Sequence, residues 1–196
     1  ATGTLTDKIT SQTDAVDGVV YSEVISLVSD SGINDMYAYF FEPIVRVADK
    51  VITSLLPYAN SSVSVTLTNT GGTAYCGGMI LGTYKDISYL YRNTPVGTEF
   101  GMKIGIQDYS IKQRDSFGNY TILERAFNKR GDFTVFVENT YVDSLVALLA
   151  GYRATPVVYV PSNYGSTIIY GFYKDFAVDI AYPTKSICPI QLEGLT

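Results

Sequence analysis

The chain writes one short line twice. ILGTYKDISYLY begins at Ile80 and IYGFYKDFAVDIAY begins at Ile169, and both hold Gly-x-Tyr-Lys-Asp followed by an apolar residue. At this offset of 89 residues Tyr84, Lys85 and Asp86 fall on Tyr173, Lys174 and Asp175. The likeness extends upstream. Ala48, Val51, Ile52 and Leu55 stand at i, i+3, i+4 and i+7, one face of a helix. Val142, Leu145, Val146 and Leu149 repeat that pattern 94 residues later. At the same offset Val63, Val65 and Asn69 meet Val157, Tyr159 and Asn163. The offset falls by five between the two blocks, where TGGTAYCGGM faces the shorter YGST. Loops tolerate such changes of length. The constraint is therefore a unit that occurs twice.

Each copy predicts the same series of elements. A strand comes first, PIVRVA in one copy and DFTVFVE in the other, and the amphipathic helix follows. Pro57 ends the first helix and Gly151 is the expected C-cap of the second. Then come a strand (SVSVTLT, PVVYVP), a long strand with the repeated motif, and a last strand (EFGMKIGIQ, CPIQLEGL). A hairpin precedes each copy. In the second it is SIKQRD-SFGN-YTILERAF, turning at Gly118 and Asn119; in the first it falls between Tyr21 and Phe41. The expected fold class is α+β, mainly β: a tandem duplication of a β-sandwich-like unit, each with one short amphipathic helix. The expected division is a polar N-terminal arm over 1–15, a first repeat unit over 16–104 and a second over 105–196.

Composition agrees and narrows the function. Seventeen Tyr, with many Val, Ile and Thr between Gly-, Asn- and Asp-containing turns, favour strands. The net charge is −5, whereas a nucleic-acid binder needs a basic face, so no direct nucleic-acid contact is expected. No apolar run has the length of a membrane span, and no membrane insertion is expected. Cys76 and Cys188 are expected as free thiols, since isolated cysteines usually serve as small hydrophobes.

The chain has no histidine. That removes Ser-His-Asp and Cys-His nucleophile pairs, imidazole acid–base work and the commonest metal ligand. Two cysteines far apart in sequence do not make a four-ligand zinc site. GGTAYCGG (71–78) lacks the spacing and the Lys of a phosphate loop. Asp175 and Asp179 share a strand face, but i and i+4 on a strand lie roughly 13 Å apart. Glycoside hydrolysis wants its two carboxyls about 5 Å or about 6.5–9.5 Å apart. No catalytic, cofactor-binding or metal residue is therefore assigned, and the chain is not read as an enzyme. The motif residues Tyr84, Lys85, Asp86, Tyr173, Lys174 and Asp175 are candidates for framework or for a repeated assembly contact. On a strand Lys174 shares its face with Phe172, Phe176, Val178 and Ile180, and its stem can run along them. Arg130-Gly131-Asp132 is expected as the turn before DFTVFVE. Asn60-Ser61-Ser62 and Asn119-Tyr120-Thr121 match the glycosylation pattern without other support.

The second half, from SIKQRDSFGNYTILERAFNKR through RATPVVYVPS to IIYGFYKDFAVDIAYPTKSICPIQLEGLT, resembles a family of tailed-bacteriophage virion proteins. The likeness is greatest over 153–196, at GFYKDF, IAYP and QLEGLT. The resemblance implies a structural tail protein, located in the virion and assembled in the bacterial host cytoplasm. Its implied partners are other phage tail proteins and further copies of itself, a trimer being favoured over a hexamer. Tail hubs of this plan carry two similar domains, so that a trimer shows six similar faces. The expected role is a distal ring or hub protein acting through protein–protein contacts. The alternative is a receptor- or glycan-binding module of the tail tip, with exposed Tyr residues such as Tyr75 as the contact to a host receptor.

Overall fold

The structure, a computed structural model, describes residues 3–11, 18–29, 33–41, 45–47, 49–53, 61–69, 73–87 and 98–195. Two compact units divide the chain, Ala1–Tyr84 and Lys85–Thr196. The fold is α+β and mainly β.

The first unit holds β1 (Gly3–Ser11), β2 (Gly18–Ser26), β3 (Val28–Ser29), α1 (Met36–Phe41), β4 (Val45–Arg46) and β5 (Ser61–Asn69). β1 pairs antiparallel with β2 on one side and β5 on the other. The segment expected as a polar arm is thus the central strand of a sheet. Its Thr-rich, β-branched composition suits a ladder more than a tail. Along β5 Val63 and Leu67 are half-buried while Ser62, Ser64, Thr66 and Thr68 are exposed, and Val65, on the face of Val63 and Leu67, is also exposed, so that face is only partly covered.

The helix expected at 48–55 is not formed over 49–53. A helix stands instead at α1, inside the region expected as a hairpin. Asp35 starts it: its Oδ1 accepts the Ala38 N–H at 2.7 Å, the work of an N-cap. Only Ala38 on α1 is buried. Residues 80–87, expected as part of the long motif strand, have no strand structure.

The second unit holds β6 (Lys103–Asp108), β7 (Ile111–Arg114), β8 (Tyr120–Leu123), β9 (Phe127–Glu138), α2 (Val142–Gly151), β10 (Val157–Tyr159), β11 (Ile169–Phe176) and β12 (Lys185–Gly194). Five of these form one antiparallel sheet in the order β10-β11-β12-β9-β6. β6, expected as the last strand of the first repeat, lies in this sheet beside β9. β12, and β9 from Gly131 onward, alternate strictly: Phe133 lies opposite Ile190 and Val135 opposite Cys188, and Val137 and Leu192 extend the packed face. α2 covers that face with Leu145 and Leu149, one helical turn apart. The layer opposite the sheet is therefore a helix, and among the described residues no second sheet completes a sandwich over this core. Burial of these side chains is the dominant stabilising term of the unit.

Buried polar groups close the ends of the sheet. Ser186 Oγ donates to Asn139 Oδ1 at 2.7 Å, and Asn139 Nδ2 donates to the Tyr182 carbonyl at 3.0 Å. The Thr167 hydroxyl donates to the Tyr164 carbonyl at 2.7 Å. Gly151 is the last helical residue of α2, and Tyr152 caps the helix with negative φ. The left-handed cap expected at Gly151 is not used. Arg130-Gly131-Asp132 lies inside β9, not in a turn before it. Gly131 has a packing reason: a Cβ there would stand 2.8 Å from Ile169 Cδ1.

Candidate functional site

The two copies of the repeated motif sit in different settings. Tyr84, Lys85 and Asp86 are exposed and lie outside any strand or helix. Tyr173, Lys174 and Asp175 lie on β11, next to the centre of the five-stranded sheet. Gly171 permits close approach, since a Cβ there would come within 2.7 Å of Gly194 Cα on β12. No atom crowds the matching Gly82. The Tyr173 hydroxyl donates to the Leu149 carbonyl at 3.0 Å, and its ring meets Phe176 edge-on at 5.2 Å. The β11–β12 register slips between Tyr173 and Asp175, so Lys174 is the extra residue of a bulge. Lys174 and Asp175 are both exposed. In this copy Gly171 and Tyr173 are framework, and the bulge presents the charged pair to solvent.

The β7–β8 hairpin has a different character. All eight of its strand residues are exposed, among them Ile111, Tyr120, Ile122 and Leu123. Phe117 at its tip is 90% exposed. A lone two-stranded hairpin is marginal in water, yet this one is fastened at both ends. At the tip Asp115 Oδ1 accepts the Phe117 N–H at 2.9 Å and the Asn119 N–H at 2.8 Å. Gly118 supplies φ of +92° at this turn. At the base Asp108 accepts the Ser110 N–H and the Lys112 ammonium, each at 2.8 Å. The Lys112 bond holds the Asp108 carboxyl far below the usual carboxylate range. The Asn119 amide lowers Asp115 in the same way. Sequence patterning located this hairpin and its turn. It missed that both faces stay in solvent, although the pairs Lys112–Ile122 and Arg114–Tyr120 on one face and Gln113–Thr121 beside Ile111–Leu123 on the other show that neither face is a plain apolar one.

A shallow cleft of ≈ 460 Å³ opens on the sheet face away from α2, near the base of the hairpin. Tyr109, Arg125, Phe172 and Leu195 line it, with Asn128 and Glu193 among them. Asn128 is buried; its Nδ2 donates to the Tyr109 hydroxyl at 3.0 Å and to Glu193 Oε1 at 3.2 Å. Its Oδ1 is buried without a partner. This cleft was not legible in sequence, because its residues come from four separate segments.

Among the described residues no group of three or more Cys, Asp or Glu side chains is placed to hold a metal ion. Asp175 and Asp179 are exposed, the latter at an isolated bridge to Ile187. Both cysteines are free; Cys76 is exposed, and burial pushes the Cys188 thiol up to about 11. Among the described residues no helix is long and apolar enough to cross a membrane. No protein-family model matches the chain, and a comparison with curated proteins finds no match either.

Proposed function

We propose that this chain is a structural subunit that works through protein–protein contacts, as a ring or hub component of a bacteriophage tail. One observation carries the contact reading: a hairpin fastened at both ends that leaves Phe117, Tyr120, Ile122 and Leu123 in solvent. Exposed apolar surface of this kind marks an interaction site. In the first unit, α1 separately leaves Met36, Tyr37, Tyr39, Phe40 and Phe41 exposed. The placement in a phage tail rests on the sequence resemblance of the second half. Antibody raised against the purified chain tests it. Gold label at the tail of intact phage particles supports the reading; its absence from finished particles, with label on free protein, removes it.

The cleft favours a second reading, a module that binds a host glycan or receptor. Tyr109 and Phe172 offer ring surface, and Arg125 and Glu193 offer hydrogen bonds, the usual elements of a small polar-ligand site. A glycan array separates the two. Saturable binding that Tyr109→Ala abolishes favours the module; an empty array favours the structural subunit.

A further inference from the structure

We infer that the β7–β8 hairpin docks on the opposite end of a second copy of this chain, in a head-to-tail contact. The inference rests on the assembly reading and supplies its interface. β9 sets the geometry. The hairpin joins the sheet at the Phe127 end of β9, where Asp108 lies opposite Phe127. The other end is Glu138, roughly 36 Å away at the rise of an extended strand.

The two ends differ in charge. Residues 103–130 carry six basic and three acidic side chains; residues 131–196 of the same unit carry three and six. Two of those three acids are occupied locally, Asp108 by Lys112 and Asp115 by its own turn. Glu193, at the same end on β12, accepts from Asn128. Arg114 stands over the Tyr120 ring, 5.6 Å from its centre, on the face that also carries exposed Ile122, and exposed Phe117 lies at the tip.

The far end is apolar with an acidic rim. Tyr141, Ile180 and Tyr182 are exposed there. Glu138 closes β9, Asp143 lies in the first turn of α2, and Asp179 bridges to Ile187 beside the same strand end. Lys185 stands opposite Glu138 on the ladder and lies over the rings of Phe136 and Tyr182 at 5.1 and 4.8 Å, so the exposed acids of the rim are Asp143 and Asp179. A basic apolar arm and an acidic apolar end on one chain are complementary between copies. The fastened hairpin needs little further ordering to dock, which favours affinity. Two unlike patches make a heterologous contact, which closes into a ring or runs on as a filament.

Native mass spectrometry and sedimentation of the full chain test this with charge reversal. Arg114→Glu with Arg125→Glu, or Asp143→Lys with Asp179→Lys, is expected to weaken self-association at least tenfold. All four substitutions in one chain are expected to restore it. Every substituted residue is exposed, and matching thermal melts establish that the variants fold; Phe117→Ser serves as a milder break. An oligomer indifferent to both double variants overturns this interface and leaves the assembly reading standing. A double variant that the four-fold change does not rescue also overturns the pairing. A wild-type chain that stays monomeric removes self-docking, and labelling of particles then decides the assembly reading separately.

Discussion

The Tyr173 hydroxyl ties β11 to the last turn of α2 through the Leu149 carbonyl. Gly171, two residues earlier, lets β11 lie close on β12. The repeated Gly-x-Tyr-Lys-Asp line is thus divided in its second copy: Gly and Tyr serve the fold, while the Lys-Asp pair faces water. Tyr173→Phe keeps the ring and removes the donor, so it is expected to cost about 1 kcal/mol. Lys174→Ala, at an exposed bulge, is expected to stay within about 0.5 kcal/mol. Urea unfolding followed by circular dichroism measures both. A Lys174→Ala cost above that of Tyr173→Phe would reverse the assignment of framework and surface. A strand's period of two put Phe176 on the face of Lys174 and Asp175 on the face of Tyr173; the bulge at Lys174 reverses both, setting Phe176 opposite buried Ile190 and Asp175 opposite exposed Gln191. The period carried no sign of the bulge, which depends on the partner strand.

At the scale of elements, the second copy was well marked in sequence. DFTVFVE, YVDSLVALLAG, PVVYVP and CPIQLEGL correspond to β9, α2, β10 and β12, because strict alternation or a 3.6-residue period bounds each one. The first copy was not so legible. Its apolar spacing at 48–55 has a helical period, but 49–53 form no helix; MYAYFF, without such a period, forms α1 behind the Asp35 cap. Short apolar runs are ambiguous when tertiary contacts decide them. The hairpin carries the prediction at this scale. Asp108 and Asp115 have folded values below the ordinary 3.8. Their contribution is complete above that value and is lost as pH falls through the lowered ones. Amide exchange at Phe117 and Asn119 is therefore expected to quicken in strong acid before the amides of β9 do. Equal loss of protection in hairpin and sheet would show that the two aspartates do not hold the hairpin.

For the molecule as a whole, exposed apolar side chains are the most prominent feature of the described surface. In sequence, the lack of histidine pointed away from triad and imidazole chemistry, the acidic balance away from nucleic acid, and the repeated motif toward framework or a repeated contact. The surface proposed for contact was hidden, because it depends on which hydrophobic residues the core leaves outside. Ile111, Ile122 and Leu123 look in sequence like any strand residues. Their exposure follows from a hairpin that leaves the sheet at Asp108 and returns at Phe127. The most direct measurement is the mass of the purified 21.5 kDa chain in solution over a wide range of concentration. The account predicts a closed assembly, three copies before six, that dissociates as salt rises and screens the charged ends. A chain that stays at 21.5 kDa at every concentration, in low salt, would contradict it.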